Sequence, residues 1–513
     1  MVYRAVSITR RDAVLLLLGA AFTRLWVSVT YPGHEDRPIY IDAGHSNTFT
    51  NTITVTVSPT KASTPVTTTL IVPPSPVPTR IDSVKSTSLI HHAPGWTLFE
   101  DIYMSDGTLF IVSDNPSQFP EIRMMISTGL IAMATPENMA AREPTANEMV
   151  IISREEAANI WGADGTFANR VLPVEGNTLL VNEPAQFLRH YYHFVAELFF
   201  GVQVFWHGAF YQSQNPAPPI HRMIFAHSNT EGWRDGPGMN TFFLQAAFPS
   251  IHVEVQEAWE DRIALTANGN RVWHFPRLLL SDRSAAHRGT ICGAQTQRIA
   301  AEAWKYMQML GVRGTDWWEP VRSATLRLAK TLPVYSGDTG PQAALGFHGA
   351  KTDAPKVVIT YISRQRQPRR KLLDASHDSL VAALTQLVNS KNGLWELNIV
   401  TAETMTLEEQ LLVVGRTDIL LGVHGNGLTH LVMTPASPIS TVIEILYPGG
   451  WAHDFQWTAV ALQKSHFGIW NDTVQVKTAN LYPNYPEGFQ GTEIPVHGPT
   501  VAQLIEEHLA GKV

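Results

Sequence analysis

The second half of the chain alternates apolar strands with helices, and this alternation constrains the fold more than any other feature. Strands are predicted at residues 356–362, 397–400, 418–423 and 441–446, with helices at 378–389 and 406–415. Thr406 and Glu409 have the spacing of a capping box, which marks the start of the second helix. Because the strands are apolar throughout, both faces of their sheet must be covered. The pattern therefore predicts an α/β fold with a parallel, doubly wound sheet.

Composition sets the size and the class of the protein. The chain has 513 residues, of which 44% are hydrophobic and 16% are charged, enough to bury the cores of two or three domains. A net charge of -7 gives no general attraction to nucleic acid, so we expect no nucleic-acid partner. The single cysteine, Cys292, excludes an internal disulfide and a zinc site built on cysteines.

The N-terminal residues have the outline of a membrane anchor. Residues 1–12 carry three arginines and are predicted to be a cytoplasmic tail, and residues 13–29 are apolar through Phe22 with an interruption at Arg24. Basic residues tend to stay on the cytoplasmic side, so this type II orientation would leave the rest of the chain in a lumen. A cleaved signal peptide, with the same apolar core, is the alternative.

The remaining boundaries follow from composition. Residues 46–79 are rich in Thr, Ser and Pro, which predicts an extended stem that lifts a catalytic domain from the membrane or serves only as a spacer. The first half mixes strands with helices, including a long predicted helix at 187–206. The predicted segments are a stem at 30–88, an N-terminal acceptor-side domain at 89–335, a linker at 336–355, a C-terminal domain at 356–498 and a final helix at 499–513.

A basic loop follows the first strand of the second half. The segment from Ser363 to Arg370 contains four arginines at the carboxyl end of a strand, where doubly wound sheets bind ligands. Guanidinium groups can hold a diphosphate through paired hydrogen bonds and stabilise it as a leaving group. Arg364 and Arg369 are the strongest candidates. The alternative is a solvated basic loop without a ligand.

A glycine turn, residues 422–427, follows a later strand of the same sheet. The amides of Gly425, Asn426 and Gly427 and the ring of His424 are candidate phosphate ligands, because such a turn presents free N–H groups at a helix start. Glycines that simply close a βα turn are the alternative. Glu444 lies inside an apolar strand, where a carboxylate needs hydrogen-bond donors. Ribose hydroxyls would supply them, unless the strand is a surface edge.

One polar line is predicted along the long helix of the first half. His190, His193 and Glu197 fall at positions i, i+3 and i+7 among apolar neighbours. A histidine or a carboxylate there can accept the proton of an attacking hydroxyl. Two alternatives stay open: a metal pair without an evident third ligand, and a core histidine satisfied by the glutamate.

Taken together, these motifs resemble glycosyltransferase family 61. The resemblance rests on Tyr192-His193-Phe194 with Glu197, Tyr361-Ile362-Ser363-Arg364 with Arg369-Arg370, Leu407 to Gln410, Gly422 to His430, and Val442 to Ile445. The family more often has alanine at the position of Asn426.

The resemblance implies a GT-B architecture of two Rossmann-like domains facing a cleft, with inversion at the anomeric carbon. A UDP-sugar would be held mainly by the C-terminal domain, without a catalytic metal or other cofactor, and His193 or Glu197 would be the base. The final helix is expected to cross back onto the N-terminal domain. The donor-binding residues would be Ser363, Arg364, Arg369, His424, Gly425, Asn426, Gly427, Thr429 and Glu444.

The predicted function is an inverting glycosyltransferase of the Golgi or endoplasmic reticulum lumen that glycosylates a hydroxyl of a glycan or protein. In a lumen, the sequon at Asn471 is open to N-glycosylation. An inactive carbohydrate- or partner-binding protein with the same fold is the alternative. An oxidoreductase is disfavoured because the glycine turn follows a late strand and lacks the usual downstream acid.

Overall fold

The computed structural model describes residues 52–55, 68–71, 84–162, 170–213, 216–293, 298–331, 356–476 and 481–513. The predicted tail, anchor and linker lie outside the described residues. Within the described ranges, no helix is both long and apolar enough to cross a membrane. The chain divides into two compact units after Pro78. In the first unit, within the predicted stem, strands Thr52–Val55 (β1) and Thr68–Ile71 (β2) pair in antiparallel fashion.

The first half of the second unit is built on a mixed sheet. Its strands are Ser88–Ala93 (β3), Trp96–Ser105 (β4), Thr108–Val112 (β5), Met149–Ile152 (β6), Val171–Pro173 (β7), Asn177–Pro184 (β8), Arg222–His227 (β9), His252–Glu254 (β10) and Val272–Ser281 (β11). The order is β10-β9-β8-β11-β4-β5-β6, with β3 on β4 and β7 on β11. Strands β8 to β11 are mutually parallel and β4 runs against β11. The parallel strands therefore end at one rim.

Helices cover this sheet. They are Ile122–Met125, Pro136–Ala141, Arg154–Trp161, Ala185–Leu188, Phe200–Phe210, Met239–Ala247, Gln256–Thr266, Arg283–Ala286, Ile299–Met309 and Glu319–Thr331, with a 3₁₀ turn at Pro116–Gln118. The predicted long helix at 187–206 is wrong in detail. It consists of Ala185–Leu188, the π-helix Tyr192–Phe199 and the α-helix Phe200–Phe210. The spacing of its polar residues, His193 and Glu197, fits an α-helix equally well, so the sequence does not reveal the change in helical period.

The second half forms the predicted sheet. Its strands are Val357–Ile362 (β12), Trp395–Val400 (β13), Ile419–Val423 (β14), Thr441–Ile445 (β15), Ser465–Trp470 (β16) and Thr473–Gln475 (β17). The order is β13-β12-β14-β15-β16-β17, and every pairing is parallel except that of β17. The chain order reverses between β12 and β14. In sheets of this kind the reversal opens a crevice at the carboxyl ends of the two strands, where ligands bind.

The helices of the second half are Asp374–Asn389, Leu407–Val414, Asp454–Ala461 and Gly498–Leu509, with 3₁₀ segments at Ala402–Thr404 and Asn426–Met433. The capping box of Thr406 and Glu409 is present as predicted. The final helix does not cross back to the first half. Its apolar residues Val501 and Leu504 join the core around Leu380 and Leu384 of the neighbouring helix, because its apolar face matches that neighbour.

A continuous apolar core joins the two sheets. Residues of the first half, such as Phe205 and Trp318, belong to the same buried cluster as Leu431 and Phe455 of the second. The indole of Trp318 donates a hydrogen bond to the carbonyl of Val432 across this boundary, at 2.8 Å. Residues 79–513 therefore form one compact α/β unit with two Rossmann-like sheets.

Candidate active site

The basic loop and the glycine turn meet at the reversal point of the second sheet. Arg364 follows β12 and Gly425 follows β14, and the two strands are neighbours. The guanidinium of Arg364 lies so close to Gly425 that a Cβ added there would be 3.1 Å from Nη1. Glycine permits this approach. The predicted juxtaposition of the two motifs is therefore present.

Main-chain carbonyls hold the arginine in place. Nε of Arg364 donates to the carbonyl of Arg370 at 3.1 Å, and Nη2 lies 3.5 Å from the carbonyl of Arg369. The pKa of Arg364 lies below its usual value, chiefly because the side chain is partly buried. The charge of Glu403 opposes this shift, and the charge of Arg369 adds to it. The side chain of Arg369 is exposed, whereas Ser363 is buried at the end of β12. The loop therefore collects positive charge at the carboxyl end of β12, beside the reversal point of the sheet.

His424 is fixed by a buried carboxylate. Nδ1 of His424 lies 2.5 Å from Oε1 of Glu444, and Nε2 of His466 lies 2.8 Å from Oε2. Burial opposes ionisation of Glu444, but the two histidines outweigh it and lower its pKa to about 2. Glu444 does not have the free oxygens that the predicted contact with a ribose needs. Both oxygens are bonded to histidines, and the side chain is 0% exposed. Glu444 orients His424 instead.

The π-helix places His193 against Glu197. Nδ1 of His193 lies 2.6 Å from Oε2 of Glu197. A quarter of the His193 side chain is exposed, against 1% for Glu197. A carboxylate only accepts hydrogen bonds, so the neutral ring carries its proton on Nδ1 and presents the lone pair of Nε2. His190 lies beside them, with its ring centroid 5.8 Å from that of His193.

Two arginines grip the same glutamate. Nη1 of Arg283 is 2.5 Å from Oε2 of Glu197, and Nη1 of Arg298 is 3.1 Å from Oε1. Burial alone would raise the pKa of Glu197, but Arg283, His193 and Arg298 together hold it well below its usual value. Burial lowers the pKa of His193, while Glu197 raises it. The cluster thus pairs an ionised carboxylate with a neutral imidazole.

The charge network extends in both directions from Glu197. Nε of Arg283 donates to Oε2 of Glu183 at 2.7 Å, and Arg298 forms an ion pair with Asp454 of the second half. None of these four network partners was singled out from the sequence. The sequence pattern could have indicated two of them. Glu183 and Arg283 lie at or just after the carboxyl ends of β8 and β11, which is where the functional side chains of parallel sheets are usually found.

Tyr192 links the histidine to the glycine turn. Its backbone N–H donates to Oδ1 of Asn426 at 3.1 Å, and its hydroxyl donates to the carbonyl of Asp454 at 2.8 Å. Its ring centroid is 5.1 Å from that of Phe455, which in turn is 5.5 Å from that of His424. The base candidate and the phosphate-binding candidates therefore line one region where the two halves meet.

The other predicted residues have clear positions. Thr429 is buried, and its hydroxyl lies 3.3 Å from Oδ1 of Asn426. Gly427 lies in the first turn of the 3₁₀ segment Asn426–Met433. Asn471 occupies the turn between β16 and β17, on the far side of the sheet from β12. Within the described residues, no group of three or more His, Cys, Asp or Glu side chains could hold a metal ion.

Comparison with known proteins gives this region a family. A family model described as Glycosyltransferase 61 matches residues 191–443, a span that begins just before the π-helix and ends one residue before Glu444. The chain is also similar to the EGF domain-specific O-linked N-acetylglucosamine transferase of Drosophila melanogaster, with 36% identity over 85 residues. This match covers 17% of the chain and 15% of the relative. Residues 191–443 therefore form a domain of glycosyltransferase family 61.

Proposed function

We propose that the chain is an inverting glycosyltransferase that transfers a sugar from a UDP-sugar to a hydroxyl of a glycan or a protein. One observation carries the proposal. His193, which is paired with Glu197, directly follows Tyr192 in the chain, and the backbone of Tyr192 is hydrogen-bonded to Asn426. Asn426 in turn belongs to the glycine turn that lies against Arg364. In the GT-B architecture that we propose, a proton acceptor and an anion-binding edge would share one cleft. Single displacement with inversion needs these two parts.

His193 is the proposed base. Its Nε2 would take the proton of the acceptor hydroxyl while the acceptor oxygen bonds to the anomeric carbon of the donor. The bond from that carbon to the diphosphate oxygen breaks, and the UDP leaves with the electron pair. Glu197 would orient the ring and stabilise the imidazolium that forms, since Arg283 and Arg298 keep this carboxylate ionised.

The second sheet would bind the leaving group. Positive charge from Arg364 and Arg369, the main-chain amides of Gly425 to Gly427, and the ring of His424 would stabilise the departing diphosphate. Ser363 directly follows β12, and Thr429 lies in the 3₁₀ segment that follows the glycine turn. Both side chains would line the diphosphate pocket. The guanidinium groups would supply the charge that a divalent cation supplies elsewhere, so we expect activity without a metal or other cofactor.

The acceptor is proposed to enter from the first half. The Drosophila relative is named for transfer of N-acetylglucosamine to EGF domains, which makes a protein hydroxyl one candidate acceptor and UDP-GlcNAc one candidate donor. We further propose a type II anchor at residues 13–29, a luminal catalytic unit in the Golgi or endoplasmic reticulum, and N-glycosylation at Asn471. A shift in electrophoretic mobility after glycosidase treatment checks the last two together, and its absence from protein made in a eukaryotic host would contradict them.

Arg364→Ala tests the donor site. The variant should fold normally and lose at least tenfold in affinity for UDP by calorimetry, because its charge-assisted contact with the diphosphate is gone. Arg327→Ala, which removes an exposed arginine on the helix Glu319–Thr331, is the matched control and should bind UDP like the wild type. Equal UDP affinity in all three proteins would contradict the diphosphate role.

Release of UDP from UDP-GlcNAc, UDP-xylose or UDP-arabinofuranose tests the activity itself. An inactive binding protein would bind the nucleotide without turnover. The partly exposed His193 ring and its buried charge network favour the enzyme, since a binding protein has no need of an oriented proton acceptor. The donor that is turned over also identifies the sugar.

A further inference from the structure

Asn426 has an unusual role for the first residue of a phosphate-binding segment. Its side-chain oxygen, Oδ1, accepts hydrogen bonds from the backbone N–H of Tyr192 at 3.1 Å and from the hydroxyl of Thr429 at 3.3 Å. A main-chain N–H can only donate, so the oxygen of the carboxamide must be the atom that faces Tyr192.

Tyr192 is fixed at both of its ends. It is the first residue of the π-helix, where N–H groups lack a partner inside the helix, and Asn426 satisfies this one. At the far end of the side chain, the hydroxyl donates to the carbonyl of Asp454 at 2.8 Å. The guanidinium of Arg298 lies 5.6 Å from the ring centroid. Every one of these contacts except that of Arg298 joins the two halves of the unit.

We propose that Asn426 is a positioning residue that sets the distance between His193 and the diphosphate site. The inference rests on the proposed function. His193 directly follows Tyr192, and the amide of Gly427 directly follows Asn426, so a single hydrogen bond spans the gap between the base and the anion-binding backbone. An alanine at this position could not make the bond.

Two substitutions at this residue should have opposite effects. Asn426→Ala keeps the backbone amides but loses the hydrogen bond to Tyr192, so the UDP affinity should stay within about threefold of wild type while kcat falls roughly tenfold. Asn426→Asp keeps an oxygen for Tyr192 but places a negative charge beside the diphosphate. Its kcat should stay within about threefold of wild type, while its UDP affinity falls about tenfold or more.

The measurements are calorimetry with UDP and the rate of UDP release from saturating donor, using whichever of the three UDP-sugars the wild type turns over. Asn147→Ala, at an exposed turn before the edge strand β6, is the matched control and should change neither quantity. An Asn426→Ala variant with wild-type kcat, or equal losses of kcat in the alanine and aspartate variants, would overturn the positioning role. A wild type that neither binds UDP nor releases it would instead overturn the proposed function.

Discussion

Glu197 keeps its negative charge although no part of it reaches bulk water. Two guanidinium groups and an imidazole surround it, and together they offset the free energy that burial of an isolated carboxylate would cost. A carboxylate with so depressed a pKa is a weak proton acceptor. The same ion is well suited to hold His193 in one tautomer and to stabilise its protonated form. At the scale of single residues, base and orienting group are therefore different side chains.

This division of roles predicts a non-additive pair of substitutions. His193→Ala should lower kcat by roughly 10²–10⁴-fold, the usual contribution of a general base. Glu197→Gln should also lower kcat, because the amide cannot replace an ion that serves His193 and two arginines. The double variant should be no slower than His193→Ala alone, since Glu197 acts through the histidine. Steady-state kinetics at saturating donor provide the three values.

Affinity for UDP is the control in this series and should stay near that of the wild type, which also shows that each variant is folded. A slow Glu197→Gln variant beside a fully active His193→Ala variant would make Glu197 the base. Independent losses that multiply in the double variant would show that the two residues act separately.

The sequence was informative about some of these residues and silent about others. The spacing of His193 and Glu197 predicts their contact, because residues four apart in a helix face each other. The roles of Arg283 and Arg298 could not be predicted, since each is brought to Glu197 from about a hundred residues away along the chain. Glu444 was recognised as a buried acid in need of donors. Its partner His466 lies on β16, and only the strand order places it there.

At the scale of elements, the glycine turn lies directly against the side chain of Arg364. β14 ends at Val423, and the guanidinium of Arg364 covers Gly425 where any side chain would project. The turn itself was predictable from its glycines and its position after a buried strand, and its role as a ligand site stays a prediction. The π-helix was not predictable, because the spacing of His193 and Glu197 along it fits an ordinary α-helix equally well.

Gly425→Ala should weaken the donor site with little effect on folding. The new methyl group would come within 3.1 Å of Nη1 of Arg364, closer than ordinary van der Waals contact, so the flexible arginine would move away. We expect UDP affinity to fall about tenfold, with no more than a small change in thermal stability. Gly236→Ala is the matched control, since an added Cβ there meets nothing within 4 Å.

Calorimetry with UDP distinguishes the outcomes. If Gly425→Ala binds UDP as tightly as the Gly236→Ala control, the position of Arg364 above the turn does not matter for the donor. A large loss of thermal stability together with affinity would instead show that the turn supports the fold rather than the ligand.

At the scale of the whole molecule, the two halves share one core, and polar groups had to be buried where they join. Doubly wound topology was predictable for the second sheet from its alternating pattern. The mixed first sheet and the common core depend on contacts between distant segments and were not. Lys464 is one such buried group. Its Nζ lies 2.6 Å from the carbonyl of Pro435 and 3.2 Å from that of Thr434, at the end of the 3₁₀ segment that begins with Asn426.

Lys464 should make the stability of the whole unit depend on pH. Burial lowers its pKa to about 7, with a further lowering by Arg322 and opposing effects of Glu319 and Asp418. A neutral amine has two N–H groups, enough for both carbonyls. In the unfolded chain the same amine has a pKa of about 10.4, so the unfolded state binds more protons between these two values. The free energy of unfolding should therefore rise with pH, by about 2 kcal/mol between pH 7 and pH 9 from this residue alone.

Lys464→Met isolates this contribution, because methionine fills similar space without a titratable group. Chemical denaturation of the wild type and the variant at several pH values gives the two slopes. As the pH rises from 7 to 9, the unfolding free energy of the wild type should increase relative to that of the variant. A difference that stays constant over this range would mean that the amine remains protonated in the folded protein, and that the junction between the halves holds a buried cation.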